Sequence, residues 1–197
     1  MSNNPAGAAR CSLLALVLFA SFAPPAAGEE ALVAVAANFS EVMERLEVDF
    51  ERDTGHELTV SIGSTGKLYA QITNGAPFDV LLAADQKRPE LLESEGLAAH
   101  GSRFTYAVGR LTLWSSEQEV ASGNAELGFV ALSYVLSPRN EQPGSRWDVP
   151  ADLYTPIRQD AVLLARAADN PAAKALLSFL KSEQVRKLIE SYGYGRG

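Results

Sequence analysis

The chain has 197 residues, with 24 Asp and Glu against 17 Lys and Arg, and a formal net charge of −7. That acidic balance, without a basic block, argues against nucleic acid and anionic membrane as partners. A single cysteine and two histidines, His56 and His100, argue against a disulfide framework and against a Cys/His zinc site.

Arg10 is the only charge in the first 28 residues. CSLLALVLFASFA (11–23) is apolar but too short to span a bilayer. Pro24 and Pro25 follow, and Ala26-Ala27-Gly28 fits a small-x-small cleavage site. Residues 1–28 therefore read as a secretory signal peptide. Cys11 lies before the apolar run and not at its end, which speaks against a lipoprotein. Removing 28 of 197 residues leaves 169 without cysteine, enough for one large or two small domains.

ALVAVAANF (31–39) is a continuous small-apolar run, as a buried parallel strand has. SEVMERLEVDFERDTG (40–55) carries Val42, Leu46 and Phe50 at helical spacing and ends on Gly55. HELTVSI (56–62) predicts a strand and 66–73 a helix, closed by NGAP (74–77). FDVLLAAD (78–85) is a third apolar strand and QKRPELLESEG (86–96) a short helix. This β-α-β-α-β-α order predicts a parallel sheet.

RFTYAVGRLTLWSS (103–116) alternates and predicts one longer strand. ASGNAELGFVALSYVLS (121–137) suggests a short helix, then a strand over 128–135. SPRNEQPGSRWDVP (137–150) reads as a loop, and 152–167 as strand again. The clearest helix pattern is 170–194, with Asn170 as cap and Pro171 in the first turn. Lys181, Ser182 and Glu183 are expected to divide it in two.

Two strand-to-helix junctions carry candidate chemistry: AANFS (36–40) and GSTGK (63–67). The second resembles a phosphate loop but fails on spacing, since Ser61 stands where a P-loop needs glycine and Leu68 where it needs a hydroxyl. What remains is a helix start with free N–H groups and the hydroxyls of Ser64 and Thr65, a setting that attracts anions. Ser64 or Thr65 as a plain N-cap is the alternative. Consecutive parallel strands bring such junctions to one sheet edge, where open α/β folds bind ligands. Asn38 and Ser40 add neutral donors there, and AADQK (83–87) adds Asp85.

With VAVAANFSEVMERL (33–46), SIGSTGKLYAQITNGAPFDVLLAADQKRPELL (61–92) and SFLKSEQVRKLIESYGYG (178–195) in place, the chain resembles the periplasmic molybdate-binding proteins. These are the capture components of molybdate ABC importers. The resemblance implies an α/β, type II periplasmic-binding-protein fold of two lobes with parallel-type sheets, and no enzyme activity. It implies a monomer in the periplasm that binds molybdate or tungstate and hands it to a permease in the inner membrane. It implies no cofactor and no direct protein–metal ligand, the oxyanion being held by neutral donors. Residue by residue, it points to Asn38, the backbone N–H of Phe39, and the hydroxyls of Thr65 and Ser64; Lys67 stays solvated.

The resemblance also exposes a gap. Family members carry several dozen more residues between the strand at 106–116 and ASGNAELGF, a stretch that supplies second-lobe ligands. The lobes would thus be 29–105 with 154–197, and a truncated remnant at 106–153. With Ala131 where some members have tyrosine, the cleft is expected to offer donors on one side only, and strands near 106–116 and 128–135 to expose edges. An alternative is a deletion variant with lost or weak oxyanion binding, a folded lobe or interaction module. A hydrolase built on Ser64, His56 and Asp85 is a third reading, opposed by the absence of a nucleophile elbow and by His56 and Ser64 standing at opposite ends of a strand.

Overall fold

The computed structural model of the chain describes residues 28–115, 127–142 and 144–197. The helix suggested from residue 121 begins outside them.

The larger unit is a five-stranded sheet with helices on both faces. Its strands are β1 (Glu30–Ala36), β2 (Glu57–Gly63), β3 (Val80–Leu82), β4 (Phe104–Gly109) and β8 (Ile157–Leu163), in the order β2-β1-β3-β8-β4. β1 runs parallel to β2 and to β3, as the β-α-β-α-β pattern predicts, while β8 is antiparallel to both β3 and β4. β1 is apolar from Ala31 to Ala36 because both its faces are covered there. Ala31, Val33 and Val35 join the core under α1 (Ser40–Thr54), α5 (Pro171–Leu180) and α6 (Glu183–Ser191). Ala34 joins the opposite core, with Leu68 and Ile72 of α2 (Thr65–Thr73) and Leu92 of α3 (Lys87–Ser94).

Local signals end these elements where the chain predicts. Gly55 closes α1 at φ 71°, a left-handed conformation that costs glycine little. Asn170 accepts from Ala173 N at 3.1 Å to open α5, and Ser182 accepts from Val185 N at 3.3 Å to open α6, so the C-terminal helix divides at the expected place.

The smaller unit differs from the expectation in four ways. The strand foreseen over 103–116 is two strands, β4 in the large sheet and β5 (Leu111–Ser115) in a second sheet, with Arg110 between them. The strand foreseen over 128–135 stops at Ala131: β6 (Gly128–Ala131) is followed directly by the one-turn helix α4 (Leu132–Val135). The loop foreseen over 137–150 contains β7 (Ser145–Asp148). Finally, the second sheet, in the order β6-β5-β7, is antiparallel at both pairings, not parallel-type. Antiparallel neighbours need no crossover helix, so a short stretch of chain can build such a sheet.

Candidate functional site

The register of β1 and β2 assembles the site. Ala36 pairs with Gly63, so the turn after one strand and the helix start after the other leave the sheet side by side. Asn38 lies in the first, a 3-10 turn over Ala37–Phe39; Ser64 and Thr65 lie in the second.

Asn38 is held from two directions. Its Nδ2 donates to Gln159 Oε1 at 3.0 Å, and its carbonyl accepts from the Tyr194 hydroxyl at 2.7 Å. Gln159, 3% exposed on β8, also receives the Tyr106 hydroxyl at 3.2 Å, and that hydroxyl sits 3.1 Å from the Ala83 carbonyl. Phe39 is fully buried and meets Tyr106 and Tyr194 edge-on, with centroids 4.8 and 5.6 Å away. The aromatic pins the turn to the core while the neighbouring amide stays exposed. Burial pushes the Tyr106 phenol well above its ordinary pKa. Burial also raises that of Tyr194, with the charge of Glu41 adding, against the opposing hydrogen bonds to Ser133 and Asn38. Both phenols therefore stay protonated at neutral pH.

The hydroxyls of the second junction are engaged as acceptors. Ser64 caps α2, accepting from Lys67 N at a long 3.4 Å. Thr65, 8% exposed, accepts from Ala84 N at 3.0 Å and so ties this junction to the one after β3. A hydroxyl that accepts still has its own proton to donate. Capping and anion binding, set against each other as alternatives on sequence alone, are thus compatible in one side chain. α1 carries no side-chain cap; the 3-10 turn runs straight into it, and the Ser40 N–H donates to the Ala37 carbonyl.

A cavity of about 290 Å³ opens at the first junction. Asn38, Ser40 and Glu41 line one wall, and Ser133, Tyr134 and Arg139 the other. The expectation of donors on one side only is therefore corrected: by turning from β6 into α4, the chain directs Ser133 and Tyr134 at the cleft. Ser64, Thr65 and Phe39 do not line this cavity, so of the four residues foreseen for the site it takes in Asn38 alone. Across it, Ser137 Oγ donates to Glu41 Oε2 at 2.7 Å and Arg139 pairs with Glu44. Ser133, Gln159 and Tyr194 were missed by sequence reasoning; Gln159 stands between Arg158 and Asp160 in IRQDAVL, and nothing in that polar triplet singles it out.

The hydrolase arrangement does not form. His56 precedes β2 and accepts from Glu29 N at 3.1 Å, whereas Ser64 follows the far end of that seven-residue strand. The strand alone separates them by about 20 Å. Asp85 is held by Arg88 at 2.8 Å. Among the described residues no group of His, Cys, Asp and Glu gathers as a metal site.

The chain matches the family described as bacterial extracellular solute-binding protein over residues 31–119 and 115–195. It is 42% identical to the molybdate-binding protein ModA of Azotobacter vinelandii, over 226 positions that take in 84% of this chain and 90% of the relative. Identity to the Rhodobacter capsulatus molybdate-binding protein ModA is 37%, covering 94% and 96%. The solved structure of the Azotobacter vinelandii periplasmic molybdate-binding protein superposes with a TM-score of 0.74 at 32% identity, covering 85% of this chain and all of that one. Since 84% of 197 residues is about 165, some 60 of the 226 aligned positions have no residue in this chain. The two matched blocks meet at 115–119, where the sequence reading places the missing stretch. Its likeness in fold and these identities make this chain a member of the periplasmic molybdate-binding proteins, within the bacterial extracellular solute-binding family, whose members bind and carry a solute and are not enzymes.

Proposed function

We propose that this chain binds molybdate, or its congener tungstate, in the periplasm and delivers it as a monomer to the inner-membrane permease of an ABC importer. Residues 1–28 serve as the cleaved export signal, and no cofactor takes part. The observation that carries this reading is the 42% identity to a molybdate-binding protein across nearly its whole length. The deletion-variant reading is less favoured, because both walls of the cleft carry donors.

The chemistry follows from the donor set. A tetrahedral dianion is held by dipoles: the free amide proton of Asn38 and the N–H of Phe39 at the first junction, and the hydroxyl protons of Ser64 and Thr65 at the second, which leaves the same sheet edge beside it. Arg139 in the opposite wall is already paired with Glu44, so the dianion meets no unpaired counter-charge there and binding stays reversible enough for transfer to a transporter. Gln159 keeps the Asn38 side-chain amide aimed and Tyr194 fixes its backbone carbonyl, so less ordering is needed on capture.

The test is a thermal melt of residues 29–197 with and without excess molybdate, with sulfate and phosphate as controls. Ligand at a hundred times its dissociation constant stabilises by about 2.7 kcal/mol, a readily seen shift. A shift with molybdate and none with sulfate supports the reading; a cooperative melt with no shift overturns it for this chain.

A further inference from the structure

A second cavity, about 690 Å³, lies away from the oxyanion cleft, where the chain passes between its two sheets. Val108 and Arg110 form one wall, the stretch from Val149 to Arg158 another, and Tyr194 to Arg196 close it. The C-terminal segment is fixed there by paired backbone bonds between Val108 and Gly195, at 3.0 and 2.7 Å.

The charges in this cavity are unevenly used. Arg196 is taken by Glu183 at 2.8 Å and Glu190 at 2.5 Å. Among the described residues the Arg110 guanidinium has one ion-pair contact, with Asp148 at 4.0 Å, and Asp148 is also approached by Arg146 at 3.4 Å. Arg158 has no hydrogen-bond or ion-pair partner among the described residues. Two guanidinium groups with open donors thus stand over the apolar surfaces of Val108, Val149, Pro150 and Pro156, in a chain whose net charge is −7.

We propose that this cavity is a second ligand site, which takes a carboxylate-bearing organic anion with an aromatic body, held by Arg110 and Arg158. A guanidinium fork matches a carboxylate in two parallel bonds. The volume is too large for a bare tetrahedral oxyanion and lies within the roughly 300–1,000 Å³ of small-molecule sites. Tyr154 and the prolines supply the flat apolar contact that an aromatic ring needs. The site backs onto the cleft without merging with it. Arg158 and Gln159 are neighbours on β8 and leave it on opposite faces, and Tyr194 lines the cavity while its hydroxyl holds the Asn38 carbonyl. This site goes beyond oxyanion capture and stands independently of it.

The experiment is calorimetric titration of the mature chain with phthalate, then with molybdate, in a buffer free of carboxylates. Saturable one-to-one phthalate binding is expected, weakened at least tenfold in Arg158→Ala and lost in the Arg110→Ala/Arg158→Ala double variant. Both side chains are exposed, so these variants keep the fold, which a melt confirms. Asn38→Ala is expected to weaken molybdate and leave phthalate within twofold. No saturable phthalate binding, binding that survives the double variant, or phthalate binding lost with Asn38→Ala would each overturn the proposal. Failure of molybdate alone would count against oxyanion capture and leave the second site standing.

Discussion

β1 and β6 belong to the same chain and live under opposite conditions. In β1, Val33, Ala34 and Val35 are wholly buried between two layers of helices. In the smaller sheet, Phe129 of β6 is 68% exposed and Trp147 of β7 is 52% exposed, although both flank Leu113 of β5 on one face. The larger unit has a core on each side of its sheet; the smaller has a sheet with an uncovered face. The two blocks matched by the family meet at 115–119, directly after β5 of that sheet, and some 60 positions of the alignment to the Azotobacter vinelandii relative are unmatched here. Hydrophobic stabilisation scales with apolar area removed from water, so cooperativity resides in the larger unit and the smaller depends on it.

The sharpest way to break that contrast is to truncate one apolar residue in each unit. Leu82 is fully buried at the centre of the large sheet, so Leu82→Ala is expected to cost about 2–5 kcal/mol in urea unfolding. Phe129→Ser, at a position two-thirds exposed, is expected to stay within about 0.5 kcal/mol and to improve solubility. Equal losses would show that the smaller sheet is packed against something in solution.

Binding separates the two junctions next. Asn38→Ala and Thr65→Ala are each expected to weaken molybdate by about 1–3 kcal/mol, the cost of leaving a polar partner unmatched. Gln159→Leu, which frees the Asn38 amide, is expected to reduce affinity by a smaller factor while Thr65 continues to bind. Isothermal titration of the three variants reads this directly, and unchanged affinity in both alanine variants would remove the site assignment.

How much of this was legible in the chain follows the same division. The large unit could be read because its signals are local: the unbroken apolar run of β1, Gly55 after α1, Asn170 and Ser182 as caps. The small unit could not. β7 is a polar, proline-flanked stretch made a strand only by pairing with β5, over thirty residues away in sequence. The turn from β6 into α4 runs through GFVALSYV, whose β-branched and aromatic residues at both ends, Phe129 and Val130, then Tyr134 and Val135, favour strand. In the site, Asn38, Ser64 and Thr65 announced themselves by standing at strand ends. Gln159 and Tyr194 reach Asn38 across 121 and 156 residues of sequence, and only the folded register reveals them.

Acid titration sharpens the picture of the larger unit. Asp49 on α1 is buried, and hydrogen bonding to Arg45, then to Arg52, holds its carboxyl below the usual carboxylate range against the opposing effect of burial. A carboxyl depressed in the folded state adds stability that is fully present above its unfolded pKa and is lost as pH falls through the folded value. Asp49→Asn is therefore expected to flatten the loss of stability on acidification below about pH 4, with little change in slope at neutral pH. Parallel pH profiles of the variant and the parent chain would overturn this assignment.

The smallest effects concern charge around the oxyanion. Lys67 is exposed one residue beyond Gly66 and gives only its backbone N–H to the Ser64 cap. Lys67→Ala is expected to leave molybdate affinity within twofold, since a solvated cation near the surface acts through a high dielectric and is screened by salt. Glu41 is different, because its carboxylate lines the cleft and already accepts from Ser137. A like charge in that wall opposes a dianion, so Glu41→Gln, which keeps the acceptor and removes the charge, is expected to raise affinity a few-fold, more at low salt than at high. If instead Lys67→Ala caused the larger change, the anion would be held by a counter-charge at the second junction, and the neutral-donor account of the cleft would fail.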